Sequence, residues 1–232
     1  MIGIIGAMDE EIAKIKEQMI IQKVNAVEHF VFFEGKLNNI PIVLVKSGIG
    51  KVASAITATL LLSNYKVDQV INVGTCGGIN KEMKPLDIFI STSEVYGDVD
   101  LMAFGYSYGQ MAKCPKSFSP DAKLIEKTIE VCEKLNYPYF VGTIISNDSF
   151  TTKRDLIDSL ISKYFFDIKI GAVDMESAAI AQVCFMFNTK CLVLRTISDI
   201  IGQDNQVLSF EDSVKVSSEK ITRILFELVN VL

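Results

Sequence analysis

The sequence predicts an α/β protein with a mixed central β-sheet. Short apolar runs of strand length alternate with amphipathic helical patterns, and Gly, Ser, Asn or Asp stands at each junction. The stretch GKLNNIPIVLV has an Asn-Asn pair between two apolar runs, which is typical of a β-hairpin. Because a hairpin joins antiparallel strands, we expect the sheet to be mixed rather than purely parallel.

The predicted elements follow one another with short junctions. Strands are predicted at Ile2 to Gly6, Phe30 to Leu37, Pro41 to Lys46, Gln69 to Gly74, Asp87 to Ser91, Phe140 to Ser146, Gly171 to Asp174 and Leu192 to Ile197. Helices are predicted at Glu10 to Met19, Lys51 to Leu62, Ala122 to Leu135, Lys153 to Ser162, Glu176 to Phe187 and Phe210 to Leu228. The last helix has the clearest pattern, because its apolar residues recur at helical spacing over its whole length.

Composition limits the class of protein. The 232 residues are 49% hydrophobic and have no Pro-, Gly- or Ser-rich seam, so we expect one domain spanning residues 1–232. A net charge of −5 without a basic cluster argues against nucleic acid as a partner. The apolar runs are far shorter than the ~18 to 20 residues of a membrane span, so no membrane association is expected.

The N-terminal and cysteine patterns favour a cytoplasmic protein. The stretch MIGIIGAMDEE lacks the basic region and cleavage site of an export signal. The five cysteines are odd in number and form no CxxC pair, which suits a reducing compartment better than a disulfide framework. His29 is the only histidine, so we expect no zinc or other metal site.

The glycine-rich stretches do not predict a nucleotide cofactor. Neither GIIGAM nor GTCGGIN has the G-x-G-x-x-G spacing of a dinucleotide site, and acids follow the first where a pyrophosphate would need a free helix N-terminus. There is also no G-x-S-x-G nucleophile elbow. We therefore expect no cofactor.

Three carboxylates follow predicted strands at one edge of the sheet. In open α/β sheets ligands bind beyond the carboxyl ends of the strands. Glu11, Glu176 and Asp199 all fall there, together with small residues and the aromatic Phe150. Each acid has a structural alternative: Asp199 could cap backbone N–H groups, Glu176 could complement a helix dipole, and Glu11 could be one solvated member of an acidic run. Their coincidence at one edge favours a functional site.

Six segments, in order across nearly the full length, carry a family resemblance: GIIGAMDEE, KSGIGKVASA, NVGTCGG, AFGYSYGQ, DMESAAIAQVC and LRTISD. In these segments the chain resembles the bacterial 5'-methylthioadenosine/S-adenosylhomocysteine nucleosidases, of the nucleoside phosphorylase-like superfamily. The resemblance implies a three-layer α/β/α fold and a homodimer. It also implies hydrolysis of the N-glycosidic bond of methylthioadenosine and S-adenosylhomocysteine, releasing adenine and the 5-thioribose in methionine salvage and methyl-cycle recycling. The same bond of 5'-deoxyadenosine would be hydrolysed as well.

The resemblance also implies a role for each site residue. Asp199 would protonate adenine N7 and Glu11 would activate the attacking water, as the two catalytic residues. The substrate-binding residues would be Glu176 and Met175 at the ribose, Arg195 and Thr75 at the water, Ser198 beside Asp199, Phe150 and Thr151 at the adenine, Cys76 and Gly77 in the glycine-rich stretch, and Met8, Ile49 and Phe210 at the alkylthio group. Leu101 and Phe104 would reach in from the partner subunit.

The chemistry requires the same parts. Cleavage of a glycosidic bond through an oxocarbenium-like state needs an acid for the leaving group and a base or anion on the sugar side. To serve as that acid near neutrality, Asp199 must hold its proton well above the usual carboxyl pKa of about 3.9, and burial is one way to raise it. The chain departs from the family at Gly97, where His is usual in the loop expected to cross the dimer interface, and at Cys76, where Ala is common.

Several alternatives share this fold or site. A purine nucleoside phosphorylase must bind phosphate, whereas acids follow the first strand and the chain has only three arginines. A calcium-dependent nucleoside hydrolase would need an N-terminal Asp cluster that is missing. A hydrolase of futalosine-type nucleosides in menaquinone synthesis would use nearly the same contacts. A non-catalytic nucleoside-binding protein would not need both Glu11 and Asp199.

Overall fold

A mixed nine-stranded sheet forms the centre of the computed structural model, which describes residues 1–204 and 206–232, with the side chains of 207–209, 211 and 215 left aside. The strands are β1 (Ile2–Gly6), β2 (Ile20–Val27), β3 (Phe30–Leu37), β4 (Ile40–Lys46), β5 (Gln69–Gly78), β6 (Ile88–Tyr96), β7 (Tyr139–Ser146), β8 (Ile170–Asp174) and β9 (Lys190–Ile200). The helices are α1 (Asp9–Gln18), α2 (Lys51–Asn64), α3 (Ala122–Lys134), α4 (Arg154–Tyr164), α5 (Ser177–Met186) and α6 (Gln206–Leu228).

The predicted hairpin joins β3 and β4. Asn38 and Asn39 have φ of 49° and 66°, the left-handed conformation that both central residues of a type I′ turn require. Asparagine tolerates this conformation better than most residues with a side chain. The antiparallel β3–β4 pair beside the parallel β1–β4 pair makes the sheet mixed, as predicted.

The sheet closes on itself at one end. Its strand order is β2-β3-β4-β1-β5-β8-β7-β6-β9, and β9 also pairs with β5. The strands β5, β8, β7, β6 and β9 therefore form a closed ring, and β2 to β4 extend from it through β1. Ring closure leaves β9 hydrogen-bonded on both sides, parallel to β5 and antiparallel to β6.

Helices cover both faces of the sheet. On one face α1, α3 and α6 enclose a core that includes Ile15, Leu124 and Leu225. On the other face α2 and α5 enclose a second core that includes Leu61 and Ile180. The arrangement is the expected three-layer α/β/α fold. The largest fully buried side chain, however, is the cationic Arg195, which lies in β9.

The sequence prediction missed β2 and ended three strands, β5, β6 and β9, too early. β2 is an edge strand whose residues are mostly exposed, so it lacks the apolar run on which strand prediction depends. β5 continues to Gly78 and β9 to Ile200, because the two strands stay paired beyond a register shift between Cys76 and Gly77. Thr75, Ser198 and Asp199 therefore lie within strands and not in the loops after them.

Three further properties concern the described part of the chain. All five cysteines are free thiols. Within residues 1–204 and 206–232, no group of His, Cys, Asp and Glu side chains is arranged to hold a metal ion. In the same residues no helix combines the length and apolar character of a membrane span.

Candidate active site

A cavity of about 270 Å³ lies where β1, β5, β8 and β9 end. The predicted residues that line it are Met8, Glu11, Ile49, Thr75, Cys76, Gly77, Phe150, Thr151, Met175, Glu176, Ser198, Asp199 and Phe210. The sequence analysis did not identify the other lining residues, which are Ala7, Ser149, Val173, Asp174 and Ile201. Four acids, Glu11, Asp174, Glu176 and Asp199, therefore share one cavity with apolar and small side chains.

Glu11 is buried at the start of α1 and accepts four hydrogen bonds. Its Oε2 accepts from the main-chain N–H groups of Ala7 at 2.8 Å and Met8 at 3.2 Å. Its Oε1 accepts from Thr75 N at 2.9 Å and Thr75 Oγ1 at 3.1 Å. Burial raises the pKa of Glu11, while Arg195 and the N–H donors oppose that rise. The alternative of a solvated member of an acidic run is wrong, because Glu11 is only 5% exposed.

Gly74 of β5 makes room for the Glu11 carboxylate. Its φ is 154°, and a methyl group built on it would lie 2.6 Å from Glu11 Oε1. No Cβ tolerates a contact that short. The missing side chain at this position therefore allows the strand backbone and the carboxylate to approach each other.

Asp199 is buried in β9, and the hydrogen bonds it accepts come from side chains. Ser198 Oγ donates to Asp199 Oδ1 at 2.5 Å, and Gln206 Nε2 donates to Asp199 Oδ2 at 2.7 Å. Ser198 Oγ also lies 3.1 Å from the Cys76 carbonyl oxygen. Burial raises the pKa of Asp199, and the Ser198 and Gln206 hydrogen bonds partly offset the rise. Among the described residues no main-chain N–H donates to this carboxyl, so the capping interpretation finds no support.

Glu176 and Asp174 both lie just before α5, but they accept hydrogen bonds from different parts of the chain. Glu176 Oε1 accepts from Gly50 N at 3.0 Å, so it fixes the loop before α2 and does not cap α5. The acid that accepts from the α5 N-terminus is Asp174, through Ser177 N at 3.2 Å. Burial and the neighbouring Asp174 raise the pKa of Glu176 to about 7.

Arg195 lies behind the cavity and is not among the residues that line it. Its Nη2 donates to Asp174 Oδ2 at 2.8 Å and to Asn72 Oδ1 at 2.5 Å. Its Nη1 is buried and has no hydrogen-bond partner among the described residues. A buried guanidinium N–H without a partner is costly, so this nitrogen could bind a water molecule or a ligand oxygen.

Apolar side chains form the mouth of the cavity. The Phe150 and Phe210 rings meet edge to face, with centroids 5.6 Å apart. Phe150 is 46% exposed and Ile49 is 57% exposed. These side chains leave apolar surface in water that a bound ring or alkyl group would cover.

Leu101 and Phe104 lie outside the cavity of their own chain. Phe104 ends a short 3₁₀ turn, Met102–Phe104, and is 79% exposed. In the same loop, a Cβ at Gly97 would overlap Asn147 Oδ1 and Ile145 Cγ2. Asn147 therefore fills the space that a side chain at position 97 would need.

The described lining of the cavity contains no Lys, Arg or His. Arg195, which lies behind the lining, is already paired with Asp174. The cavity therefore suits a neutral polar and apolar ligand, with carboxyl groups for proton transfer and for hydroxyl groups. A phosphate dianion would meet four acids and no cationic side chain in the described lining.

Comparison with known proteins places this geometry in a family. The Phosphorylase superfamily model matches residues 1–230. A 5'-methylthioadenosine/S-adenosylhomocysteine nucleosidase of Haemophilus influenzae (strain PittEE) is 40% identical over 230 residues, which cover 99% of this chain and 98% of the relative. The chain belongs to the 5'-methylthioadenosine/S-adenosylhomocysteine nucleosidase family. This confirms the resemblance inferred from the sequence.

Solved structures agree with membership of the nucleosidase family. The nucleosidase of Neisseria meningitidis in complex with methylthio-immucillin-A has a TM-score of 0.94 at 32% identity, covering 100% of this chain and 99% of that one. A futalosine hydrolase of Helicobacter pylori strain 26695 has a TM-score of 0.91 at 31% identity, covering 100% and 97%. The fold of the nucleosidase family is therefore shared by enzymes with different nucleoside substrates.

Proposed function

We propose that the chain hydrolyses the N-glycosidic bond of 5'-methylthioadenosine and S-adenosylhomocysteine, and of 5'-deoxyadenosine, releasing adenine and the sugar. The observation that carries this proposal is a cavity that holds two buried carboxyl groups, Glu11 and Asp199, and no cationic side chain among its described lining. Membership of the nucleosidase family supports the same reaction.

Asp199 supplies the proton for the departing adenine. Adenine leaves more readily once N7 is protonated, because the ring then departs as a neutral base. Burial favours the protonated form of Asp199, and Ser198 Oγ orients the carboxyl group through Oδ1. We assign the other oxygen, Oδ2, to adenine N7.

Glu11 acts on the water molecule that attacks the sugar. The four donors on its oxygens fix the carboxylate and favour its ionised form, which a general base requires. Arg195 Nη1 has no hydrogen-bond partner among the described residues and Thr75 Oγ1 contacts Glu11, so both can hold the water beside the base. Arg195 acts from behind the lining residues.

Glu176 and the aromatic side chains place the two halves of the nucleoside. A carboxylate at Glu176 accepts hydrogen bonds from the ribose hydroxyls, with the Met175 main chain beside it. Phe150 stacks on adenine and the Thr151 main chain hydrogen-bonds to its edge. Met8, Ile49 and Phe210 cover the alkylthio group, and Cys76 and Gly77 form the floor next to Asp199.

A phosphate test separates hydrolysis from phosphorolysis. Because the described lining offers phosphate no cation, adenine release from methylthioadenosine should proceed at the same rate with and without phosphate. Chromatography of the sugar product should show free methylthioribose in both cases. Formation of a ribose 1-phosphate would overturn the proposal.

A futalosine-type nucleoside is the second candidate substrate. The 31% identical futalosine hydrolase shares the fold over the full chain, and the purine and ribose contacts proposed above would serve either substrate. The 5' group distinguishes them, because the mouth formed by Ile49, Phe150 and Phe210 is apolar and suits a thioether. Comparison of kcat/KM for methylthioadenosine and futalosine tests this preference.

The proposal extends to assembly and location. Val52 and Ile56 of α2, with Met102 and Phe104 of the loop after β6, are exposed apolar side chains of the kind that subunit interfaces cover. A homodimer would bring Leu101 and Phe104 to the alkylthio end of the partner's cavity. The free cysteines fit a cytoplasmic enzyme of methionine salvage.

A further inference from the structure

Gln206, the first residue of α6, joins two groups of the proposed adenine subsite. Its Nε2 donates to Asp199 Oδ2 at 2.7 Å and to the Thr151 carbonyl oxygen at 2.9 Å. Its Oε1 accepts from Gly202 N at 3.2 Å. The side chain is 7% exposed, so these contacts are shielded from water.

The partners of Gln206 fix the orientation of its amide. With the amide turned over, Nε2 would face the Gly202 N–H and Oε1 would face the Thr151 carbonyl, so like groups would meet in both places. The NH₂ group must therefore face Asp199, and Asp199 Oδ2 must act as an acceptor. Because Ser198 Oγ already donates to Oδ1, the two hydrogen bonds together favour the ionised carboxylate.

We propose that Gln206 is a positioning residue that occupies the two acceptors of the proposed adenine subsite, Asp199 Oδ2 and the Thr151 carbonyl oxygen, holds them together, and is displaced from them by the adenine ring. This inference rests on the proposed function, which gives Asp199 and the Thr151 main chain to adenine. An adenine amino group offers the same kind of N–H donor as the Gln206 amide, so the base can replace the side chain at these acceptors. Displacement also frees Asp199 Oδ2 to carry the proton that catalysis needs.

The other charged groups around Asp199 do not contact Oδ2 among the described residues. Cys76 of β5, Glu11 of α1 and Glu176 before α5 line the same cavity, and Arg195 of β9 is paired with Asp174. Arg154 of α4 packs on Gly202 and is paired with Asp158. Removal of the Gln206 amide therefore changes the hydrogen bonding of Oδ2 and leaves the surrounding charges in place.

The pH dependence of Gln206→Met tests the proposal. The pH profile of kcat/KM reports the free enzyme, whereas that of kcat reports the substrate complex. Loss of the donor raises the pKa of Asp199 in the free enzyme, so the high-pH limb of kcat/KM should move upward by about one pH unit. The limb of kcat should not move, because substrate has already displaced Gln206 in the complex. Gln206→Ala should give the same shift without the bulk of methionine.

Gln203→Met is the matched control, because Gln203 has an exposed side chain in the same connection. It should leave both limbs unchanged. An equal shift of kcat and kcat/KM in Gln206→Met would mean that the amide stays on Asp199 in the complex, and would overturn displacement. Absence of a shift in both profiles would also overturn it.

Adenine binding separates this proposal from the proposed function. Isothermal titration at pH 8 should show that Gln206→Met binds adenine severalfold more tightly than wild type or Gln203→Met, because no hydrogen bonds need to be broken first. An unchanged affinity, in a wild type that releases adenine from methylthioadenosine, overturns the role of Gln206 alone. A wild type that binds adenine but releases none from methylthioadenosine overturns the proposed function instead.

Discussion

Hydrogen bonding distinguishes Glu11 and Asp199, the two cavity acids to which we assign the chemistry. Glu11 accepts four hydrogen bonds, two of them through Oε1 from Thr75, and each favours the ionised group. Asp199 accepts two, and one of its donors is Gln206, a side chain that substrate could replace. Both residues are buried acids, but their hydrogen bonds suit Glu11 to the proposed role of base and Asp199 to the proposed role of acid.

Asp199→Asn should leave the protein folded but nearly inactive. Asparagine keeps the shape of the side chain and cannot transfer a proton, so kcat should fall by about 10²- to 10⁴-fold while adenine still binds. Steady-state kinetics and a thermal unfolding curve measure the two properties. Asp204→Asn, at an exposed position, is the control and should behave as wild type. A folded variant with turnover within about threefold of wild type would remove Asp199 from the mechanism.

Glu94 should make the protein less stable at alkaline pH. It is fully buried in β6, and neither carboxyl oxygen has a hydrogen-bond partner among the described residues. Burial and nearby Asp174 raise the pKa of Glu94 to about 8. The folded state therefore holds a proton that the unfolded state loses, so the free energy of unfolding falls as pH rises from about 4.5 to 8, by at most about 1.4 kcal/mol per pH unit.

Glu94→Gln removes this dependence by replacing the acid with a neutral side chain of similar shape. Urea unfolding at pH 6 and pH 8.5 should show the variant gaining stability relative to wild type at the higher pH. Glu126→Gln, at an exposed position on α3, should keep a constant difference from wild type. A difference for Glu94→Gln that does not change with pH would contradict the raised pKa.

At the level of the helix, Asp121 is the N-cap residue of α3. The Asp121 Oδ1 atom accepts from Lys123 N at 3.0 Å and from Leu124 N at 3.2 Å, two of the N–H groups that lack a partner within the helix. Asp121→Ala should lower the free energy of unfolding by about 1 kcal/mol, as measured in urea. Asp121→Asn should retain most of the wild-type stability, since asparagine also caps well. A similar loss in both variants would indicate that the charge, and not the cap, matters.

Sequence patterns located most elements because helices and strands of a layered fold bury one side, which leaves a periodic apolar pattern in the sequence. The patterns failed where the pairing of strands in the folded sheet determines whether a strand exists or where it ends. β2 is recognisable only through its pairing with β3, and the extensions of β5 and β9 depend on their mutual register. The site showed the same division. Glu11 and Asp199 could be found from strand ends and the family resemblance, whereas Asp174 and Gln206 acquire their roles through contacts with residues distant in the chain.

Across the whole molecule, the loop with Leu101 and Phe104 predicts an active dimer. Sedimentation at micromolar concentration should show a dimer, and a fully active monomer would contradict the proposal. Phe104→Ala should raise KM for methylthioadenosine more than for adenosine, because it removes apolar surface only from the alkylthio end. Phe166→Ala, equally exposed at 79%, is the matched control and should leave both KM values unchanged.

The close approach of Gly97 and Asn147 limits the order in which this protein could change during evolution. A Cβ at position 97 would lie 2.3 Å from Asn147 Oδ1 and 2.4 Å from Ile145 Cγ2, so a side chain at 97 requires both neighbours to shift or to become smaller. A random library built on this chain should therefore recover side chains at 97 mainly alongside smaller residues at 145 and 147.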